Sequence, residues 1–211
     1  MKISDKTNLT GTQRRKLSLG LLLLLISGGI VAGTVIVCSA DSLDAVSKSV
    51  LTQNLLKTSE VKTIIQIYIN AFLPLAAALT IQYICGFSAL GQPLTIAGII
   101  YRGVSTGVSA SVFYLMLGIK GFLAILIMLF PFAAVSSVIL ILGARESIKF
   151  SNMFMNFALN KNVEEDKRSG IKLFTVKFIV LIALSLLAAA ADSNYIFFYG
   201  DTFKSLIFQG V

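Results

Sequence analysis

Long apolar runs without a charged residue alternate with short polar segments along this chain. The uncharged runs cover residues 17–40, 63–101, 103–119 and 121–144. A helix of about 20 apolar residues spans the hydrocarbon core of a bilayer. The pattern predicts an all-α, polytopic membrane helix bundle. Its five transmembrane helices are expected at residues 17–39, 61–85, 94–117, 122–143 and 174–191.

The polar segments between the spans predict a basic tail and surface helices. Residues 1–16 form a predicted cytoplasmic tail, and residues 17–211 form a single membrane domain. The segments 41–62 and 145–177 carry apolar residues at helical spacing, which indicates amphipathic helices at the membrane surface. For the second segment, an ordinary solvated loop is the alternative. The aromatic-rich tail 192–211 predicts an interfacial segment.

The start of the chain allows two interpretations. A basic segment, an apolar run and the ending Cys38-Ser39-Ala40 together fit a secretory signal peptide. The apolar run is longer than such a signal requires, and it carries glycines that suit helix packing. A retained membrane helix is therefore the preferred interpretation.

The turn GFSALGQP, residues 86–93, joins the second and third predicted spans. Gly86 and Gly91 supply backbone freedom, and Pro93 suits the first turn of the next helix. Gly118 and Gly121 predict a second tight turn at the opposite face of the membrane. Two prolines inside the second and fourth spans, Pro74 and Pro131, predict kinks because proline removes a helical hydrogen bond.

Arg102 is the only charged residue between residues 63 and 119. One interpretation is that its side chain snorkels to the lipid headgroups. The other is that it turns into the bundle, as intramembrane arginines usually do. There it would bond Gln82, Gln92 or carbonyls freed near a proline.

Two glycine pairs and one aspartate are further candidates for structural or partner contacts. Gly29 with Gly33, and Gly103 with Gly107, are four residues apart and predict close helix packing. The functional alternative is a groove for the transmembrane helix of a partner. Asp192, at the outer end of the fifth span, is expected either to pair with Lys120 or to be a plain interfacial residue.

Charge and composition narrow the class of protein. The chain has a net charge of +8, and only 13% of its residues are charged. The basic residues flank the spans, where they meet anionic lipids, so we expect membrane lipids and no nucleic acid as partners. With the N-terminus inside, the inner segments hold twelve Lys and Arg residues against five outside. This predicts a cytoplasmic N-terminus and an extracytoplasmic C-terminus.

The residues that most catalytic sites require are scarce. There is no histidine for a zinc-protease motif, and no Gly-rich phosphate loop. The predicted spans contain no acidic residue before Asp192, whereas an aspartyl intramembrane protease needs two. The two cysteines, Cys38 and Cys85, are expected at opposite faces as reduced thiols. We therefore predict no catalytic, cofactor-binding or metal-binding residues.

An ordered set of glycine and proline motifs covers about a quarter of the chain. It runs through Gly86-Phe-Ser-Ala-Leu-Gly91-Gln-Pro93, Arg102-Gly103, Gly107, Gly118 with Gly121, and Phe130-Pro131. The set resembles the stage II sporulation protein M family, with its pattern G-x-S-x-[IL]-G-x-P, [KR]-G-x-x-x-G, G-x-x-G and L-P-x-N. This chain departs from the pattern at Phe130 and Ala133, where the family has leucine and asparagine.

The resemblance implies a non-enzymatic membrane scaffold that acts in forespore engulfment. Proteins of that family sit at the division septum and recruit two peptidoglycan-degrading partners, the stage II sporulation proteins D and P. The alternative function is a permease or transporter component, with Asn70, Arg102 and kinked helices along a path. A second copy of the chain is a further candidate partner.

Overall fold

The computed structural model describes residues 11–39, 64–88, 91–159 and 165–208. Within these ranges the chain is helical apart from the turn at residues 87–88, and it contains no strand. The predicted all-α class is confirmed. The helices are α1 (Gly11–Ser39), α2 (Ile64–Gly86), α3 (Gly91–Ala124), a π-helix (Ile125–Leu129), α4 (Phe130–Leu159) and α5 (Glu165–Phe208).

Five of these helices are long and apolar enough to cross a membrane, so the chain is a multi-pass membrane protein. The candidate spans are Leu19–Ser39, Ile64–Gly86, Gly91–Leu115, Phe130–Met155 and Gly170–Phe198. The fourth lies later than the predicted 122–143. The reason is that residues 118–127 form only a short apolar helix, which runs into the π-helix.

The predicted turn at Gly118 and the predicted kink at Pro131 each take a form in the structure that the hydropathy pattern did not specify. The turn expected at Gly118 and Gly121 is a break at one residue, Gly118, whose φ of 57° and ψ of −135° suit glycine. Pro131 cannot donate a hydrogen bond to Ile127, and Ile127 lies within the π-helix. The helix is therefore disturbed before Pro131. At Pro74, α2 remains one helix.

The surface helix predicted within residues 145–177 is instead the continuation of two spans. Helix α4 runs on to Leu159, and α5 begins at Glu165. Phe150 is buried against Phe174 of α5, so this face contacts protein rather than headgroups. The tail that was expected to start at residue 192 is likewise part of α5, which continues to Phe208. The segment 41–62 lies outside the described residues.

Helices α3 and α4 each contact all four of the other long helices, and α4 takes part in two apolar clusters. On one side it forms an apolar cluster with α1 and α3 that includes Ile26, Ile99 and Ile141. On the other side it forms a cluster with α2 and α5 that includes Leu79 and Leu181. Two apolar clusters of the bundle therefore share α4.

Helices α1 and α3 meet along the two predicted glycine pairs, which we call the glycine seam. A Cβ added at Gly29 would lie 2.8 Å from the Ile100 carbonyl oxygen, and one at Gly103 would lie 2.5 Å from that of Ile26. Side chains at Gly33 and Gly107 would likewise meet the opposite backbone. At these positions the four glycines thus face the backbone of the neighbouring helix of the same chain rather than an open groove.

Candidate functional site

The turn between α2 and α3, residues 86–93, is called the elbow below, and it marks one end of the bundle. Backbone hydrogen bonds close it from Phe87 N to Ile84 O (3.1 Å), Ser88 N to Cys85 O (3.1 Å) and Gly91 N to Ser88 O (3.0 Å). A side chain at Gly91 would collide with the Cys85 carbonyl, and one at Gly86 would lie 2.6 Å from the Phe174 ring. Neither glycine has a positive φ, so both are required for the space that they leave and not for an unusual backbone conformation.

Polar side chains fasten the elbow to α4. Ser147 and Ser151 of α4 are fully buried, and each donates its hydroxyl to a carbonyl of the elbow region. Pro93 lies in the first turn of α3, where no backbone donor is needed. The three side-chain hydrogen bonds between the elbow region and α4 are Ser147 Oγ to Gln82 O (2.7 Å), Ser151 Oγ to Ser88 O (2.7 Å) and Gln92 Nε2 to Asn152 Oδ1 (2.7 Å).

An aromatic cluster supports the same end of the bundle. Its ring centroids are separated by 4.2 to 5.6 Å, in stacked and edge-on arrangements. Tyr83 also shares a hydrogen bond of 3.1 Å with Thr175 of α5. The cluster joins α2, the elbow, α4 and α5. Its members are Tyr83, Phe87, Phe150, Phe174 and Phe178.

An ion pair lies beside this cluster between α4 and α5. Lys177 Nζ donates to Glu146 Oε2 at 2.6 Å. A small cavity of about 80 Å³ lies next to the pair and is also lined by Lys149, Met153 and Gly170. The pair is partly exposed, so it is a surface feature of the elbow end rather than a buried charge site.

Arg102 turns into the bundle and bonds α4. Its Nη2 donates to Ser136 Oγ at 2.7 Å, and Ser136 donates in turn to the Ala133 carbonyl at 3.2 Å. Ser136 is fully buried and Arg102 is half-buried. The inward alternative is therefore the one that the structure shows, but the partner is Ser136 rather than Gln82, Gln92 or a carbonyl.

The Arg102 guanidinium points away from the elbow. Thr95 and Ser147 are level with each other, because their hydroxyl oxygens are 3.4 Å apart. Arg102 lies seven residues beyond Thr95, about 10 Å, whereas Ser136 lies eleven residues from Ser147 on antiparallel α4, about 16 Å. The side chain thus extends about 6 Å farther from the elbow than its own backbone does. This geometry contradicts snorkelling to the headgroups at the elbow end.

Two buried polar atoms in this region have no hydrogen-bond partner among the described residues. They are Nε of Arg102 and Oε1 of Gln82. Gln82 does use its amide, which donates to the Leu140 carbonyl at 3.2 Å, and its Oε1 lies against Gly143. The bundle interior therefore holds both a donor and an acceptor that the described part of the chain leaves unsatisfied.

The remaining sequence candidates are not brought together. Lys120 is exposed and Asp192 is half-buried, and the pairing between them, one of the two alternatives for Asp192, does not form. The ion pair among the described side chains is Glu146 with Lys177. Pro131 is exposed after the π-helix, and the surroundings of Gly121 lie outside the described side chains. Asn70 lies on the exposed face of α2.

Metal-binding residues do not cluster either. In the four described ranges, no three His, Cys, Asp or Glu side chains come close enough to hold a metal ion. Cys38 is exposed, Cys85 is buried, and both are free thiols. The hydrogen bonds at the elbow can hold the helices together. Arg102 offers a cation that can donate hydrogen bonds.

No family model, curated protein or solved structure matches this chain. The resemblance to the stage II sporulation protein M family therefore depends on the motif positions themselves. Several of these positions have a physical role in the fold. Gly86 and Gly91 give the elbow its space, Gly103 lies in the glycine seam, and Gly118 breaks α3.

Proposed function

We propose that this protein is a non-enzymatic membrane scaffold that holds partner proteins at a fixed place in the membrane. The observation that carries the proposal is the set of contacts at the elbow end. There, three hydrogen bonds to α4 and a five-ring aromatic cluster fix four chain segments against one another. A scaffold needs a bundle of defined shape, and interior polar groups used in helix-to-helix bonds provide one.

The finer form of the proposal follows the family resemblance. The protein would act in septal peptidoglycan remodelling and forespore engulfment, recruiting wall hydrolases such as the stage II sporulation proteins D and P. Its N-terminus would be cytoplasmic and its C-terminus extracytoplasmic, with the protein concentrated at the septum. The motif order from Gly86 to Pro131 supports this form, and so do the structural uses of Gly86, Gly91 and Gly103.

The permease alternative loses one of its supports. It depended on Asn70 and Arg102 along an interior path, but Asn70 lies on the exposed face of α2. Arg102 is bonded to Ser136 across the α3–α4 contact. Neither observation favours transport, and the scaffold remains the proposal.

A localisation and deletion experiment in the native cells tests the scaffold. We expect a fluorescent fusion of the full chain to concentrate at the division septum. In a deletion strain, membrane-bound wall hydrolases should lose their septal position. A fusion of the Gly28→Ala variant is the control and should localise like the unmodified fusion, because a Cβ at Gly28 meets no atom within 4 Å. Uniform membrane fluorescence together with unchanged hydrolase positions would overturn the proposal.

A further inference from the structure

We propose that Arg102 binds a carboxylate carried by a transmembrane helix of a partner protein. The inference rests on the proposed scaffold function and adds the chemistry by which one partner is recognised. It starts from an arginine in the middle of a span, where a charge is costly unless it is paired or functional.

Among the side chains that the structure describes, none is a counter-ion for Arg102. In the sequence, no Asp or Glu occurs between Glu60 and Glu146. The two acidic side chains that the structure describes are Glu146, which pairs with Lys177, and Asp192, and neither is within ion-pair distance of Arg102. A guanidinium has five N–H donors. Ser136 accepts from one of its nitrogens, and the buried Nε has no described acceptor.

The depth of the guanidinium favours a transmembrane helix over a lipid headgroup. Arg102 is the twelfth residue of the 25-residue span Gly91–Leu115, and its side chain extends away from the elbow. Ser136 is the seventh residue of α4, about 9 Å into the helix from the end remote from the elbow. The charge thus lies well inside the apolar region, where helical side chains are the polar groups at hand.

The surface of α3 beside Arg102 is open to a partner helix. Arg102 itself is half-buried, and its Nε is buried. One turn towards the elbow, Gly98 is exposed, and a Cβ there would meet nothing within 4 Å. Leu94 and Tyr101 are exposed at 56% and 62% on the same stretch of α3. The glycine seam, in contrast, is already filled by α1.

Charge complementarity identifies the occupant as a carboxylate. Arginine and carboxylate form two parallel hydrogen bonds, and these are stronger where water is excluded. A second copy of this chain would offer two acidic residues within its spans, Glu146, which is paired with Lys177, and Asp192. Measured along the helices away from the elbow, Asp192 lies about 22 Å from Lys177, whereas Ser136 lies about 15 Å from Glu146, the partner of Lys177. A different protein with an acidic residue near mid-membrane fits better.

Binding of designed transmembrane peptides to the full chain tests the inference. The chain is labelled at Cys38, the exposed thiol, and reconstituted in phosphatidylcholine vesicles. The probes are leucine–alanine peptides with a central Asp, a central Lys or no polar residue. Energy transfer should show the Asp peptide binding about tenfold more tightly than the apolar peptide, equivalent to about 1.4 kcal/mol. Arg102→Gln should abolish the difference, and Lys120→Gln should leave it unchanged.

Charge reversal keeps the test decisive if Arg102→Gln folds poorly. Arg102→Asp should bind the Lys peptide in preference to the Asp peptide, and Arg102→Lys should retain the preference for Asp. Equal binding of the Asp and apolar peptides to the unmodified chain would overturn the inference. Loss of the preference when phosphatidylglycerol is added would assign a lipid headgroup instead. Self-association that is lost in Asp192→Asn would assign a second copy, and both results would also overturn the inference.

The outcomes separate this inference from the scaffold proposal. Septal localisation without any preference for the Asp peptide would leave the scaffold standing and remove the role of Arg102. A preference for the Asp peptide without septal localisation would leave the carboxylate site standing and remove the proposed cellular function.

Discussion

The two packed faces of α3 join it to its neighbours in different ways. Towards α1, Gly103 and Gly107 bring backbone against backbone, and at these two positions no side chain separates the helices. Towards α4, Thr95 and Arg102 reach across with polar side chains to Ser147 and Ser136. The first face is complete within the chain. The second leaves a charged donor unsatisfied, so it is the face on which recognition of another molecule can depend.

The glycine face predicts the largest effect. Gly29→Leu should abolish or strongly reduce the folded protein, because the new side chain meets the Ile100 carbonyl; we expect a loss of about 3 kcal/mol. Neighbouring Gly28→Leu is the control, since its Cβ direction is open. Folded yield and unfolding in a denaturing-detergent titration give the measurement. Equal losses for both variants would mean that the seam is not the closest contact between α1 and α3.

The elbow contacts should be the next most sensitive. Ser147→Ala with Ser151→Ala leaves two carbonyls without their buried donors, and we expect a loss of about 2 kcal/mol. Ser137→Ala, on a less buried face of α4, should cost little. The same detergent titration measures both. A double variant as stable as the unmodified chain would show that the aromatic cluster alone holds the elbow.

Substitutions of the two residues in the Arg102–Ser136 contact should change the stability of the chain in opposite directions. Arg102→Met removes an incompletely satisfied charge from the span and should stabilise the isolated chain by about 1 kcal/mol. Ser136→Ala removes an acceptor but leaves the charge, so it should destabilise the chain by about 1 kcal/mol. Unfolding of both single variants and the double variant gives the coupling. Destabilisation by Arg102→Met would mean that Arg102 serves this chain's own stability.

The Glu146–Lys177 pair should have the smallest effect. Its side chains are 21% and 35% exposed, so solvent screens the attraction. Glu146→Gln should lower the free energy of unfolding by about 0.5 kcal/mol, and the loss should shrink as salt is added. Unfolding midpoints at low and high ionic strength check this. A loss that does not change with salt would indicate a packing role for Glu146 beside the cavity.

The sequence predicted the glycine face better than the polar face, for a physical reason. Close helix packing needs small residues four apart on each helix, and this spacing is visible without a structure. A polar contact needs a partner from a distant part of the chain, and Ser136 lies 34 residues from Arg102. One signal was available: Ser136, Gly143, Ser147 and Ser151 lie on one face of α4 at helical spacing.

The helix ends show the same limit. Hydropathy located the apolar runs, but α4 and α5 continue past them to Leu159 and back to Glu165. Phe150, which lies beyond the predicted span 122–143, is buried against Phe174 and extends the contact between the two helices. A hydropathy value averaged over neighbouring residues cannot detect that an aromatic residue in a charged segment packs against a residue of another helix.

The sequence by itself determined that this protein is a bundle of membrane-spanning helices, that the chain turns near Gly118, and which glycines allow close packing. These properties depend on local composition, on spacing along one helix and on the backbone freedom of glycine. Only the tertiary structure decided that the glycine pairs face each other, that the elbow is bonded to α4, and that Arg102 turns inward to Ser136. Those contacts join residues that are far apart in the chain, and their energies exist only once the helices are packed.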